Sequence, residues 1–549
     1  MLIHLLYARA SIVYNRFSMG TQNLSINTNT HRAAFTTFAI FLCGGLVILT
    51  YVWFISTGLW TTWPATTTYY DQLATSFHEG HLYLDVQPDQ ALLQLSDPYE
   101  PDARNTMQGS DIEKLDAIWD MSLYAGKIYL YWGPVPALIL AAIKLVSNRQ
   151  FGDQQLTFIF ISGLFLFQTM LLLRVWRRFL PALPIWAVLS AIILVGFINP
   201  IPWILNTPRI YEAAIAADQF FLIGGLYFIF SGLDRQTISI RRLVLAATLW
   251  VFAVGSRATM AIPVSFLLLI VILKLINRGK KEGAITSLRN QLAGFCIPLL
   301  SGAILLGWYN QARFGSFFEF GFRYAITMFN QNKFSGVLFS PIYIIPNSFL
   351  YFFNPPVFNY LFPFIRPAWN GDLITNFNNH YSTIYNAERI VGLIYVFPFF
   401  LFSLIPIVNI IRHSIKQHNR IQSLQEKDSG ENNNDFFRWI LMGLIGATVL
   451  ELLTVLILFY GTMRYFMDVI PTLSLLSIFG FWQGYLTIIK TPIWGKVYPA
   501  IGLLLIISSI IISILLGYSS DVTRIKTNNL ALITQLRLFF IHLINYSGR

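Results

Sequence analysis

The chain has 549 residues, of which 55% are hydrophobic, 16% aromatic and only 12% charged, with a formal net charge of +12. So apolar a composition excludes a soluble globular protein and calls for an integral membrane protein. The positive charge falls in short segments between apolar runs, the pattern of the positive-inside rule, which argues against a nucleic acid partner.

Residues 1–32 lack the plan of a signal peptide, because Arg9 and Arg16 interrupt the apolar stretch, and they read as a cytoplasmic N-terminal segment. The first span is 33–56, free of charge. It leads into a loop, 57–154, with eleven carboxylates between Gly58 and Trp132, among them Asp71, Glu79, Asp85, Asp89, Asp97 and Asp120. Only Arg104, Lys114 and Lys127 oppose them there, so the water-exposed chemistry is concentrated in this loop. The run 133–147 is apolar but short and opens with Pro134 and Pro136. Read as a helix lying on the outer membrane surface, it leaves the Arg174, Arg177 and Arg178 cluster inside.

Further spans are expected at 155–173, 179–199, 213–233, 243–256, 258–275, 291–309, 390–411, 438–460, 465–488 and 496–517. The run 243–273 is broken only by Arg257, and basic segments flank it on both sides. Both flanks can be cytoplasmic only if the chain turns at Arg257, which predicts a hairpin. The total is an all-α polytopic membrane protein of about eleven spans, with a transmembrane domain at 33–517, a second external loop at 310–389 and a C-terminal tail at 518–549. The tail reads as a surface helix or a twelfth span. The charge-free segment 334–365 holds Pro341, Pro346, Pro355, Pro356 and Pro363, which fits a re-entrant or surface-lying loop better than a straight helix. Cys43 and Cys296 lie in apolar runs and read as small core residues.

In this topology charged residues gather at the outer helix ends. Asp71 follows Tyr69 and Tyr70 early in the first loop; Asp120 and Lys127 precede the surface helix; Asp218 borders a span; Arg257 sits at the hairpin turn; Arg313 and Glu319 follow 291–309; Arg464 and Asp468 open 465–488. Ionisable groups at apolar helix ends are costly, which makes them functional candidates. Each also has a plain structural account, as a cap, a snorkelling anchor or an ion-pair partner. His78 and His81 beside Glu79 and Asp85 lack a defined metal-ligand spacing and read as polar loop residues. No motif calls for a cofactor; a divalent metal stays open, with no ligand set assigned. One or two carboxylates with several cations on one membrane face suit an acceptor hydroxyl attacking a phosphate-linked sugar. The carboxylate removes the proton and the cations stabilise the departing phosphate.

At these residues the chain resembles the polytopic GT-C glycosyltransferases, such as the protein O-mannosyltransferases and the lipid A aminoarabinose transferase. Asp71 in TYYDQLA resembles the acidic position soon after their first span, and GKIYLYWGPVPALILAAIKLVSNRQFGD resembles their later segment before span two. Asp218, Arg257 and the proline-rich 334–365 are softer matches. Asp71 has no adjacent acidic partner, and Gly133-Pro134 stands where Pro-Pro is the pattern. The resemblance implies an inverting transferase of a bacterial cytoplasmic membrane. It would move a sugar from a polyprenyl-phosphate donor to an extracytoplasmic lipid, glycan or protein, amid membrane lipids. In that scheme Asp71 is the base, with Asp120 and Asp218 in reserve. Lys127, Arg257, Arg313 and Arg464 hold the donor phosphate, and Tyr69, Tyr70 and Glu319 contact substrate. A flippase or transporter of lipid-linked sugars and a membrane glycan polymerase are the alternatives. Neither internal repeats nor a catalytic loop late in the chain is visible to favour them.

Overall fold

The computed structural model describes residues 26–105, 107, 118–147, 149–233, 238–283, 285–382, 384–421, 433–520 and 522–547. Most of the segment 1–32, the carboxylates Asp111, Glu113 and Asp116, and most of the polar stretch after Ile421 lie outside the described residues.

Apolar runs of this length can satisfy their backbone in a bilayer only as helices. Among the described residues, ten helices are long and apolar enough to cross a membrane. They follow the expected spans closely: Ala34–Ile55, Asp153–Phe179, Ile185–Asn206, Ile210–Leu233, Ala258–Glu282, Ile285–Phe314, Pro398–Ile415, Asn434–Leu456, Met463–Ile488 and Trp494–Ser520. The expected eleventh, 243–256, is present as a helix of 17 residues, Ile240–Ser256. At 1.5 Å per residue it is about 25 Å long, shorter than the others.

The helices used below are α1 (Ile26–Ile55), α2 (Tyr69–His78), α3 (Val135–Lys144) and α4 (Asp153–Phe179). After them come α5 (Ile185–Phe197), α6 (Ile201–Asn206), α7 (Ile210–Leu233), α8 (Ile240–Ser256), α9 (Ala261–Glu282) and α10 (Ile285–Phe314). The last are α11 (Leu404–Ile421), α12 (Asn433–Leu456), α13 (Phe466–Ile488), α14 (Trp494–Ser520) and α15 (Val522–Ser547). The chain turns at Arg257, whose backbone is extended between α8 and a short 3-10 turn, as the basic flanks required. Segment 133–147 becomes α3, whose ten residues span about 15 Å, half the hydrocarbon thickness, so by length it does not cross. It packs against α2. Arg177 and Arg178 fall in the last turn of α4, at the end opposite Asp153.

Buried in the middle of the bundle are α7 and α13. Close packing around α7 rests on its small residues. A Cβ at Gly225 would lie 2.3 Å from the Trp250 ring of α8, and one at Gly224 would lie 2.8 Å from Phe167 of α4. Without a hydrophobic drive between helices in lipid, such close approach is what holds neighbours together.

The proline-rich segment forms no long helix. A short apolar helix covers Pro341–Phe353, and two asparagines pin the chain. Asn347 donates to the carbonyls of Leu456 (2.9 Å) and Leu458 (2.8 Å), and Asn354 donates to that of Ile390 (2.8 Å). The tail forms α15, broken by non-helical Asn529, and it is not among the candidate spans. Buried Arg524 docks it by donating to the carbonyls of Ile55 (2.8 Å), Pro64 (3.1 Å) and Asn206 (3.2 Å), where α1 and α6 end.

Candidate active site

The segment between α2 and α3 delivers Asp120. Strands β1 (Ser122–Tyr124) and β2 (Lys127–Tyr129) pair antiparallel across a two-residue turn, Ala125-Gly126, with φ of 49° and 73°. Positive φ at both central residues is the hairpin turn whose twist matches its strands. The hairpin is anchored by Ser122 Oγ donating to Gly321 O (2.8 Å) and by Asp120 N–H donating to Ile326 O (2.8 Å). Asp120 itself sits at φ 60°, a left-handed conformation that costs energy for a non-glycine residue and often marks a functional position.

From there a network runs across the bundle. The Tyr211 hydroxyl, at the start of α7, donates to Asp120 Oδ2. The Arg464 guanidinium lies 4.8 Å over the Tyr211 ring and bonds Glu388 at 2.9 Å. Glu388 is placed by a short parallel pairing of β3 (Asn386–Ala387) with β4 (Tyr460–Gly461), and it accepts bonds from Thr462 (2.7 Å) and Tyr460 (3.2 Å). Arg257 bonds Asp468 and approaches Asp218 to 3.8 Å. Tyr465 lies between the two cations: its ring centroid is 5.1 Å from Arg257 and 5.6 Å from Arg464. Tyr69 comes within electrostatic reach of Asp120, and the buried Tyr70 hydroxyl within reach of Asp218 and Arg257.

Charge is uneven within this network. Burial pushes the half-buried Asp120 carboxyl up, with the Tyr211 hydrogen bond and Arg464 opposing the shift. Burial also acts on Glu388, but Arg464 and the hydroxyls of Thr462 and Tyr460 outweigh it and hold that carboxyl below its usual range. Two carboxylates a few residues' width apart are thereby driven in opposite directions, the pattern that separates a proton-transferring group from a fixed counter-ion.

Other candidates are placed elsewhere. Asp71 is buried, with one oxygen on Lys144 Nζ (2.9 Å) and the other accepting from Phe151 N–H (3.1 Å). It therefore ties α2 to the end of α3. Arg313 donates to Leu130 O (2.6 Å) and Asn310 Oδ1 (2.9 Å) and stacks over Tyr309. Lys127 is exposed and covers the Tyr83 ring at 4.2 Å. Glu319 closes a local turn, bonding Gly321 N–H and Arg323 at 2.7 Å each. Of the expected phosphate-binding cations, then, Arg257 and Arg464 meet at one ring, while Arg313 and Lys127 engage a separate group around Leu130, Tyr83 and Tyr129. His81 bonds Glu79 (3.1 Å) and His78 bonds Ala141 O (2.9 Å), and among the described residues no three His, Cys, Asp or Glu side chains converge as metal ligands.

Four residues of this region escaped the sequence reading: Lys144, Asp153, Glu388 and Glu451. Asp153 is fully buried and accepts from Thr67 Oγ1 at 2.5 Å and from the backbone of Tyr69 at 3.3 Å, so it caps α2. Glu451, buried in α12, accepts from Thr472 at 2.6 Å. Glu388 and Glu451 carry a legible signal, since each is a carboxylate beside or inside an apolar run. Beside the polar network lies an apolar groove lined by Tyr351, Leu393, Leu452, Tyr465, Phe466 and Ile470, so Tyr465 belongs to both.

No protein-family model and no curated protein matches the chain. Among solved structures it is similar to the archaeal oligosaccharyltransferase AglB from Archaeoglobus fulgidus in complex with an inhibitory peptide and a dolichol-phosphate. Identity is 12%, the TM-score 0.43, and the match covers 89% of this chain and 56% of that one. It is also similar to the Archaeoglobus fulgidus oligosaccharyltransferase tethered with an acceptor peptide, at 11% identity and TM-score 0.40, over 89% of this chain and 55% of that one. The chain thus spans a little over half the length of these proteins. At that level of likeness, function has to be read from the residues.

Proposed function

We propose that the protein is an inverting membrane glycosyltransferase that moves a sugar from a polyprenyl-phosphate donor to an extracytoplasmic acceptor. The observation that carries this reading is Tyr465, where the Arg257 and Arg464 cations meet an apolar groove. The start of a polyprenyl tail would lie along this apolar lining, with its phosphate toward both guanidiniums. Each spends a terminal nitrogen on its carboxylate and carries five N–H donors in all, so a phosphate can be bonded without breaking those pairs.

Asp120 is the base in this scheme. It lies in a loop at the network's edge, is half-buried, and is a carboxyl whose proton affinity burial raises. The acceptor O–H proton passes to Asp120 as the oxygen bonds the sugar's anomeric carbon from the face opposite the phosphate. The carbon–oxygen bond to phosphate breaks, its electron pair leaving on the lipid phosphate between Arg257 and Arg464. Asp71 becomes a positioning residue, since its pairing with Lys144 seats α2 and with it Tyr69 and Tyr70. No step is routed through a metal.

The test is release of free lipid phosphate by purified protein offered a panel of polyprenyl-phosphate sugars with and without acceptor glycans, peptides and lipids. Acceptor-dependent release that Arg464→Gln weakens is expected. Translocation of the lipid-linked sugar across vesicles without any release would overturn the reading in favour of a flippase.

A further inference from the structure

Two tyrosines where β2 runs out toward α3 face different parts of the molecule. Tyr129 meets the rings of Tyr83 and Phe314, at 6.2 and 5.3 Å between centroids. Tyr131 turns to the site. Its ring lies 4.0 Å from that of Trp132 and 5.2 Å from that of Phe322, and Trp132 in turn meets Tyr211 at 5.1 Å. Tyr211 is the residue that bonds Asp120 and lies beneath Arg464. The Tyr131 hydroxyl comes within electrostatic reach of Asp120, Tyr211, Tyr465 and Arg464.

The chain is held on both sides of Tyr131. Leu130 O accepts from Arg313 at 2.6 Å, and Gly133 N–H donates to Ser256 O at 3.1 Å. With the backbone tied and the ring packed on Trp132 and Phe322, the hydroxyl has a set position. Tyr211 gives its hydroxyl to Asp120, and Arg464 gives a nitrogen to Glu388. The Tyr131 hydroxyl, on a half-buried side chain, bonds no protein group among the described residues.

We infer, resting on the transferase reading above, that the Tyr131 hydroxyl bonds a hydroxyl of the donor sugar and so helps to select that sugar. In that reading the phosphate lies toward Arg257 and Arg464, the acceptor oxygen meets Asp120, and the sugar lies between them. A hydroxyl within reach of both Asp120 and Arg464 is therefore beside the sugar ring. A phenol is uncharged and both donates and accepts, which suits a sugar hydroxyl better than a phosphate already met by two guanidiniums. A site built to bond a substrate hydroxyl rejects analogues that lack it, because its own polar group is then left unpaired.

Tyr131→Phe removes only the oxygen and keeps the ring on Trp132 and Phe322. Since that oxygen bonds nothing in the protein, the unfolding temperature should stay at the wild-type value. Over the same change, kcat/KM for the most active polyprenyl-phosphate sugar of the panel should fall about tenfold. Binding of polyprenyl phosphate without a sugar, followed by native mass spectrometry, should be unaffected. The decisive readout is a series of monodeoxy forms of the active donor. At one ring position wild type and Tyr131→Phe should transfer at equal rates, because the bond is already absent. Tyr129→Phe, whose ring belongs to the other group, should match wild type with every donor. A wild-type kcat/KM in Tyr131→Phe, a loss shared by every deoxy donor, or a loss that appears equally with bare polyprenyl phosphate would each overturn the inference and leave the transferase reading standing. If no polyprenyl-phosphate sugar is transferred by the wild-type protein, both fall.

Discussion

Asp71 and Asp120 stand in the same acidic loop, yet their surroundings give them different work. Both Asp71 oxygens are engaged, by Lys144 and by the Phe151 N–H, whereas Asp120 receives one hydroxyl and keeps access to solvent. Asp120→Asn should therefore cut transfer by roughly 10²–10⁴ while the unfolding temperature stays near wild type. Asp71→Asn strips Lys144 of its charged partner, and loss of one partner of a buried pair costs about 3–5 kcal/mol. It should show first as a lowered unfolding temperature; a stable Asp71→Asn protein devoid of transfer would return the base to Asp71. The pH profile offers a second check. Burial raises the Asp120 carboxyl above the ordinary 3.8, so it ionises later as pH rises, and the acid limb of kcat/KM should sit above the usual aspartate range. The Tyr211 hydroxyl favours the ionised form, and its removal leaves the carboxylate less stabilised. Tyr211→Phe should move that limb to higher pH, and a limb unmoved or moved down would contradict the assignment.

The element that aligns the two halves of the site is the segment leading into α3. Gly133 N–H donates to Ser256 O at 3.1 Å, one residue before Arg257, and a Cβ at Gly133 would lie 2.0 Å from Gly255 O. Only glycine allows the loop backbone to lie directly on the end of α8, which is why Gly133 is needed where the resembling pattern has proline. Gly133→Ala forces the two backbones apart, and overpacking of this kind costs about 1–3 kcal/mol. A drop in unfolding temperature together with weakened donor binding is the expected result, because Arg257 moves with α8. Full donor affinity in that variant would show that the loop and the hairpin turn are independent.

At the scale of the whole molecule, the helices arrange the site at one end and the basic residues Arg177, Arg178, Lys280 and Lys281 at the other. If positive charge is retained inside, the acidic loop is expected outside. A cysteine introduced near Pro101 should react with a membrane-impermeant maleimide added to intact cells, and one near Lys280 only after the membrane is opened. The reverse pattern would place the site in the cytoplasm and remove the case for an extracytoplasmic acceptor.

Span positions, the helix break at Arg257 and the shortness of α3 were all legible in the chain, because hydropathy and loop charge are local properties that a bilayer reads directly. Outer-end ionisable residues were legible as a set for the same reason. Their partners were not. Lys144 looks like an ordinary interfacial lysine until α3 folds against α2, and Glu388 acquires its place only when the strand at 386–387 pairs with the one at 460–461. The separation of Arg257 and Arg464 from Arg313 and Lys127 likewise depends on which rings the helices bring beneath each guanidinium. Composition determined that this chain spans a membrane, and the order of apolar and charged residues placed its ionisable candidates at helix ends. Which carboxylate keeps a free face was decided by tertiary packing, because ion pairing and desolvation depend on contacts between residues 73 to 91 positions apart.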